Sequence, residues 1–277
     1  GSGHIMKLRY TPFQGRVFSS EEEGSPHNDT MEKFDGLYGN PVIIGELHSM
    51  VAPTACALRK LKPEAKIAYI MTDGACLPIA FSNTVRTLKE KKIIDATVTC
   101  GNAFGGDFEA VTKYSALALA ASSLNADFII VAMGVGIAGT GTALGHTGLE
   151  VGEWVNATAA LKGTPIVIPR LGFADKRERH KGISHHTINA LALAALAKAI
   201  VALPKLEFEE QEFIDRQLIN SKISEKHEIV YEQGEIGIEG IDEYGIKVKT
   251  MGRGPEEEPA FFLACGAAAV KAVNIRI

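Results

Sequence analysis

A glycine-rich stretch is the first part of this sequence that could bind a ligand. It follows an apolar run, Phe128 to Met133, that predicts a buried strand, and it precedes a helix-like segment from Glu150 towards Leu161. Glycines let backbone N–H groups approach an anion, and a helix N-terminus adds partial positive charge. The ligand-binding residues predicted here are Gly134, Gly136, Gly139, Thr140 and Gly141.

The first three of these glycines also spell the dinucleotide fingerprint G-x-G-x-x-G. The next predicted strand ends near Arg170, too far on for the ribose-binding acid expected about 20 residues after the glycines. A later glycine, Gly148, further delays the helix, and no Gly-Lys-Ser/Thr follows to make a Walker A loop. A nicotinamide or flavin dinucleotide is therefore less favoured than another anion. A purely structural turn stays open, and no cofactor is assigned.

His146 and Glu150 are four residues apart, so they would share one face of a helix that began early enough. Such a pair could hold a divalent metal, or act as a base with its orienting carboxylate. A capping contact at the start of a helix is the competing interpretation and is the favoured one. We retain both residues as catalytic candidates and assign no metal ligand.

A basic, histidine-rich segment follows the strand predicted at Thr164 to Pro169 and ends at His186. Arg177 and Arg179 could clamp a phosphate or carboxylate group, with His180 as a further ligand contact. His180, His185 or His186 could transfer a proton, and His185 is retained as the catalytic candidate. A solvated basic loop, or a contact in a homodimer, is the alternative.

Two aspartates stand where a predicted strand passes into a predicted helix. Asp73 follows the strand Ala65 to Thr72, and Asp107 is placed as the N-cap of a long helix reaching Leu124. Paired carboxylates at neighbouring strand ends could bind Mg²⁺ or act as acid and base, so both are catalytic candidates. A simple cap or turn is the usual role of one isolated aspartate. Glu46 and His48 are secondary candidates.

The regular alternation of strands and helices predicts a doubly wound, mostly parallel α/β sheet with helices on both faces, Rossmann-like in plan. Ligands bind such sheets beyond the carboxyl ends of the strands. Two later predictions are a helix over Thr187–Leu203 and strands over His227–Glu232 and Gly245–Thr250. We expect one domain over residues 1–277, in which 204–277 are an acidic C-terminal elaboration.

Composition excludes several classes of protein. The formal net charge is −4, so no overall basic footprint indicates a nucleic-acid or anionic membrane partner. The four cysteines are far apart, which favours reduced thiols in a cytoplasmic protein. No stretch has the length of a membrane span, and no signal peptide pattern opens the chain.

Several motifs occur together: Lys7-Leu8-Arg9-Tyr10-Thr11-Pro12, Gly145-His146-Thr147-Gly148, Arg177-Glu178-Arg179-His180-Lys181-Gly182 and Gly252-Arg253-Gly254-Pro255. With them the chain resembles, over essentially its whole length, a bacterial family known only as domain of unknown function three-eight-six-six. The resemblance implies no activity, substrate or catalytic residue. It does imply an additional N-terminal segment, expected to be a small β-rich module, that family members usually carry ahead of the part resembling this chain.

The residues favour an enzyme that acts on a small anionic metabolite, phosphorylated or carboxylated, by hydrolysis or group transfer. A non-catalytic protein that senses a nucleotide or metabolite, or a scaffold, is the alternative. Whether the chain is an enzyme is left open. An enzyme predicts that His146, His185, Asp107 and the glycines converge in one pocket. A binding module needs only the glycines and basic side chains there, with the histidines scattered.

Overall fold

Strands and helices alternate along most of the chain, as the sequence predicts. The computed structural model describes residues 3–72, 74 and 76–276. Over those residues the strands are β1 (Ile5–Lys7), β2 (Gly15–Val17), β3 (Pro41–Gly45), β4 (Ile67–Thr72), β5 (Ala96–Cys100), β6 (Phe108–Ala110), β7 (Phe128–Met133), β8 (Thr164–Ile168), β9 (Leu171–Gly172), β10 (Gly182–Ile183), β11 (Ile200–Pro204) and β12 (Glu228–Glu232). The α-helices are α1 (Asn28–Glu32), α2 (Val51–Leu61), α3 (Asn83–Glu90), α4 (Lys113–Ala118), α5 (Glu150–Ala160), α6 (His185–Asn189), α7 (Phe208–Ser221), α8 (Ile223–Lys226), α9 (Ile236–Glu243) and α10 (Pro259–Ile275).

Eight of the described strands form one sheet in the order β12-β11-β8-β3-β7-β4-β5-β6, and every neighbouring pair is parallel. β3, β4 and β7 are buried along their whole lengths, as uninterrupted apolar runs predict for strands covered on both faces. One group of helices, α2, α9 and α10, packs together, and α4 and α5 belong to a second group. The predicted doubly wound α/β fold is confirmed.

The chain changes direction across the sheet beside β3. From β3 it passes through α2 to β4 and on towards the β6 edge, whereas from β7 it passes through α5 to β8 and on towards β12. The carboxyl ends of β8, β3 and β7 are therefore neighbours at the point where the connections diverge. Parallel α/β sheets bind ligands at such a switch point.

The acidic C-terminal part adds to this sheet. It contributes β12 at one edge, and α10 packs on β3, β8 and β11. The strand predicted at His227–Glu232 is confirmed, whereas the one predicted at Gly245–Thr250 is wrong because those residues form no strand. Among the described helices, none combines the length and apolar character that crossing a membrane requires.

Two helix predictions need correction. The run predicted as one helix over Thr187–Leu203 divides into α6, a π-helical stretch at Ala190–Ala194 and strand β11. Periodicity alone cannot separate a short apolar strand from a buried helix, and parallel pairing with β8 and β12 decides the outcome. The helix predicted from Asp107 begins at Lys113, because Thr112 caps it in a reciprocal capping box.

The buried His227 predicts an acid-sensitive contribution to stability. Its Nδ1 accepts a hydrogen bond from the Ala199 N–H at 3.1 Å, and its Nε2 lies 3.0 Å from the Leu191 carbonyl, so the neutral ring satisfies both. Burial lowers the pKa of His227 from its ordinary value of 6.5. The stabilisation is therefore complete above pH 6.5 and is lost as the pH falls towards the lower folded-state pKa.

We expect His227→Gln to weaken this pH dependence, because a glutamine amide can accept and donate the same two hydrogen bonds without titrating. Between pH 7 and pH 5 the wild-type free energy of unfolding should fall by up to about 2 kcal/mol more than that of the variant. Urea unfolding at both pH values measures this difference. Equal pH dependence in the two proteins would contradict it.

Candidate functional site

Four histidines from two separate segments of the sequence come together above the carboxyl ends of the central strands. His146 stacks on His186 with ring centroids 4.2 Å apart and planes inclined by 14°. The rings of His185 and His186 are 4.3 Å apart, and that of His180 is 5.1 Å from each of them. We call these four residues the histidine cluster. Three are buried, whereas His185 is half-buried.

A short hairpin brings the basic segment back to this point. β9 and β10 pair antiparallel, and Gly182 turns the chain with a φ of +66° where a side chain would collide with Gln217. Ser184 then caps α6 by accepting a hydrogen bond from the His186 N–H at 3.3 Å. The same Ser184 hydroxyl lies 2.8 Å from Nδ1 of His180. The short segment from His180 to His186 therefore brings three imidazole rings together.

A buried carboxylate lies beneath the cluster. Glu46 directly follows β3, is 1% exposed, and accepts a hydrogen bond through Oε2 from the Thr187 hydroxyl at 2.9 Å. Its Oε1 is 3.6 Å from Nδ1 of His186 and 3.7 Å from the guanidinium of Arg170, just beyond hydrogen-bond length. Burial lowers the pKa of Arg170, while Glu46 raises it. The charges of Glu46 and Arg170 therefore compensate each other at the centre of the site.

The two arginines predicted as an anion clamp differ. Arg177 forms a two-pronged pair with Asp175, at 2.9 Å from Nε and 2.7 Å from Nη2. This pair holds the pKa of Asp175 well below its usual range. Arg179 is exposed, and within the described part of the chain no carboxylate oxygen lies within 4.0 Å of its nitrogens. Its guanidinium carbon would be 3.9 Å from a Cβ placed on Gly141.

The glycine-rich stretch is not the strand–turn–helix cradle that the sequence predicts. Residues 138–147 fold back on themselves, with hydrogen bonds from the Thr140 N–H to the Gly145 carbonyl at 2.8 Å and from the Thr147 N–H to the Ala138 carbonyl at 2.9 Å. We call residues 134–148 the glycine flap. Helix α5 begins only at Glu150, after a 3₁₀ turn. The glycines therefore do not surround a helix N-terminus, and this geometry does not support a dinucleotide at the fingerprint.

The flap nevertheless meets the histidines. A Cβ on Gly139 would be 3.1 Å from Nε2 of His186, and one on Gly148 would be 3.0 Å from Nδ1 of His146. Gly136, Gly139 and Gly141 are exposed, and Gly136 and Gly141 have positive φ values of +96° and +82°. The flap, Arg179 and the histidine cluster thus form one site.

Burial keeps several of these imidazoles neutral near pH 7. Burial and the neighbouring arginines lower the pKa of His180 to about 3. Burial and the His186 ring lower the pKa of His185 to about 4, and the same two causes lower that of His146, against the raising effect of Glu46 and the Ala143 backbone. A neutral imidazole keeps a lone pair, so it can accept a proton or bind a metal ion.

Some polar atoms in this site have no hydrogen-bond partner of normal geometry among the described residues. They are both ring nitrogens of His146, Nε2 of His185, Nδ1 of His186 and Oε1 of Glu46. Buried polar atoms are seldom left without a partner in native structures. His180, His185 and His186 each offer one ligand atom, and these atoms lie within 4.8 Å of one another. These three residues could hold a metal ion.

The predicted carboxylates that the structure describes, Glu150 and Asp107, do not join the cluster. Glu150 begins α5 and accepts a hydrogen bond from Nε1 of Trp154 at 2.9 Å, whereas His146 precedes the helix, so the two do not share a helix face. Asp107 stands before the edge strand β6 and accepts from the N–H and hydroxyl of Thr97 at 2.8 and 2.9 Å. Asp107 thus lies at the amino-terminal end of β6, away from the carboxyl ends. Asp73 lies outside the described residues.

The residues that support the cluster carry little signal in the sequence. Glu46 is only a secondary candidate in the sequence, His186 is one of three histidines that could transfer a proton, and no motif singles out Arg170 or Thr187. The available signal was position, because Glu46 and Arg170 follow buried strands within two residues. His48, the other secondary candidate, is 2.6 Å from the Ser82 hydroxyl. Ser82 caps α3, so His48 has a structural contact there.

Comparison with known proteins gives a family but no activity. A family model described as "Protein of unknown function (DUF3866)" matches residues 1–269, which confirms the resemblance seen in the motifs. No curated protein and no solved structure matches the chain.

Removal of the buried carboxylate should strongly destabilise the protein. In Glu46→Ala the guanidinium of Arg170 would stay buried without its nearest counter-charge, so we expect the free energy of unfolding to fall by about 3–5 kcal/mol. Thr187→Ser is the matched control, because it keeps the hydroxyl that Glu46 accepts from and should cost no more than about 1 kcal/mol. Urea unfolding at pH 7 measures both. Similar losses in the two variants would show that the buried charge is unimportant.

Proposed function

Because the chain belongs to this family of proteins of unknown function, its activity has to be inferred from the site, and we propose that it is an enzyme acting on a small anionic metabolite. The anion is a phosphate or carboxylate group held between the glycine flap and Arg179. The reaction, a hydrolysis or group transfer, takes place beside the histidine cluster. This proposal draws on the convergence of the flap, a basic side chain and neutral imidazoles at the switch point of the sheet.

The observation that carries the proposal is Arg179, which forms no ion pair within the described part of the chain. A guanidinium binds phosphate and carboxylate groups through parallel N–H donors, but only if no carboxylate of the protein already occupies them. Arg177 is occupied by Asp175, whereas Arg179 lies beside the exposed Gly141 without such a partner among the described residues. Of the two arginines in the motif, Arg179 is therefore the better anion ligand.

The histidine cluster supports catalysis in addition to binding. His185 is the half-buried member, and burial lowers its pKa to about 4, so at pH 7 it is a neutral proton acceptor. His146 stacks on His186, and Glu46 lies 3.6 Å from Nδ1 of His186, where it stabilises positive charge that reaches the ring. His185, with His146 as the alternative, is assigned the proton transfer.

The binding part of the proposal predicts a specific loss in Arg179→Ala. Inorganic phosphate, nucleoside monophosphates and di- and tricarboxylates would first be screened by thermal shift, since a ligand of the native state raises the melting temperature. Calorimetry with the best ligand should then show binding about 10–100-fold weaker in Arg179→Ala than in wild type. Lys176→Ala is the matched control, because Lys176 is an exposed cation of the same loop. Equal affinity in all three proteins would contradict the assignment.

The variant His185→Gln tests the catalytic part of the proposal independently of ligand binding. Phosphate monoesters and carboxylate esters related to the best ligand would be incubated with wild type and variant, and product would be followed by phosphate release or by pH. We expect turnover at least about 100-fold slower in His185→Gln with similar ligand affinity. An anion that binds through Arg179 while no ester is turned over would favour the alternative, a non-catalytic metabolite sensor.

A further inference from the structure

We infer that His180, His185 and His186 bind one divalent transition-metal ion, with the ion open to ligand on the side of the glycine flap. The three residues each contribute one ligand atom, and these atoms are within 4.8 Å of one another. Zinc–imidazole bonds of about 2.0–2.1 Å in a tetrahedral site separate ligand nitrogens by about 3.4 Å. Side-chain rotations that bring the ligand atoms little more than an ångström closer together would therefore complete the site.

The hydrogen-bond partners of His180 and His186, which fix the tautomer of each ring, support the same conclusion. A metal-binding histidine commonly donates its second N–H to a carboxylate or another acceptor, which directs the remaining lone pair at the ion. Nδ1 of His186 is 3.6 Å from Oε1 of Glu46, and Nδ1 of His180 is 2.8 Å from the Ser184 hydroxyl. Both contacts leave Nε2 as the ligand atom. Nε2 of His186 is the nitrogen that faces Gly139 of the flap.

Unsatisfied atoms provide an independent observation. Nε2 of His185, Nδ1 of His186 and Oε1 of Glu46 have no hydrogen-bond partner of normal geometry among the described residues. Coordination would occupy Nε2 of His185, so in the metal-bound protein the proton transfer falls to His146, the alternative named above. Coordination would also make His186 a stronger donor through Nδ1 and so draw in Oε1 of Glu46. One bound ion would satisfy all three atoms.

The donor set and the local charge indicate the class of ion. Three imidazole nitrogens suit zinc and its neighbours in the transition series, in contrast to the oxygen ligands of magnesium and calcium. Two of the arginines beside the cluster are compensated, Arg170 by Glu46 and Arg177 by Asp175, so among the described arginines there only the exposed Arg179 adds uncompensated positive charge near His185. Three protein ligands with an open position are the arrangement of catalytic zinc sites.

His146 is not a member of the ligand set. It lies parallel to His186 with ring centroids 4.2 Å apart, so it packs against one ligand and positions that ring. The metal site goes beyond the proposed function, because an ion could bind whether or not the protein turns over an anion. Its chemical consequence does rest on that function. A bound ion would attract the anion and lower the pKa of a bound water, which would make hydroxide available as a nucleophile.

The test is metal binding by the purified full chain after treatment with EDTA. Titration with Zn²⁺ by calorimetry should give one site per chain, and Co²⁺ should give the visible absorption of a site with nitrogen ligands. His180→Ala and His186→Ala should each weaken Zn²⁺ binding at least about 100-fold, and Glu46→Gln about 10–100-fold. The metal-free variants must have the far-UV circular dichroism of wild type, and Glu46→Gln keeps an acceptor for Thr187.

His27→Ala is the matched control, because His27 lies outside the cluster and should bind Zn²⁺ like wild type. No stoichiometric binding in wild type, or binding that survives in His180→Ala and His186→Ala together, would overturn the inference. The results also distinguish failure of the metal site from failure of the proposed function. If metal binds as expected but no anion binds through Arg179, only the function is wrong. If anion binding and turnover persist in metal-free protein that takes up no ion, only the metal site is wrong.

Discussion

The buried carboxylate of Glu46 is the interaction on which the site depends. A carboxylate that is 1% exposed has lost its hydration and is tolerated only where the protein provides donors and opposite charge. Those groups come from beyond β8, as the guanidinium of Arg170 and the hydroxyl of Thr187. Because the charge of Glu46 must be compensated, the end of β3 and the segment after β8 are held in contact. Because Thr187 follows His186 directly, it also places the histidines.

The topology of the sheet makes room for this arrangement. The connection after β3 leads towards one edge of the sheet and the connection after β7 leads towards the other. This divergence leaves a crevice above the carboxyl ends of the two strands. Rigid parallel strands, buried on both faces, hold the loops above at fixed separations. The flap follows β7, Glu46 follows β3 and the basic segment follows β8. Three neighbouring strands thus contribute the three parts of the site.

Hydrogen bonds inside the flap change how an anion can be held. In a phosphate cradle the backbone N–H groups point at the ligand, but here the N–H groups of Ala138, Thr140, Gly145 and Thr147 are used within residues 138–147. In the proposed anion site the main electrostatic attraction would therefore come from a side chain, Arg179, and not from the backbone. The exposed glycines instead permit close approach to the cluster, since a Cβ on Gly139 would contact His186.

Local pattern was enough to predict the frame of the protein. Apolar runs such as Phe128–Met133 identify the buried strands, and strand–helix alternation identifies a doubly wound sheet with functional groups beyond its carboxyl ends. The same patterns located the flap and the basic segment. These patterns gave a wrong prediction where a buried helix and a buried strand share the same apolar pattern. At Ile200–Pro204 pairing within the sheet selects the strand.

The sequence by itself determined the sheet, the loops that carry the polar residues and the family, because these depend on periodicity and on contiguous motifs. Only the tertiary structure decided which residues meet. Thr187 reaches Glu46 across 141 positions, and His146 stacks on His186 across 40. It also decided that Asp175 pairs with Arg177, whereas Arg179 has no carboxylate partner among the residues that the structure describes. Charge compensation depends on distances between residues remote in the chain, and no local pattern encodes those distances.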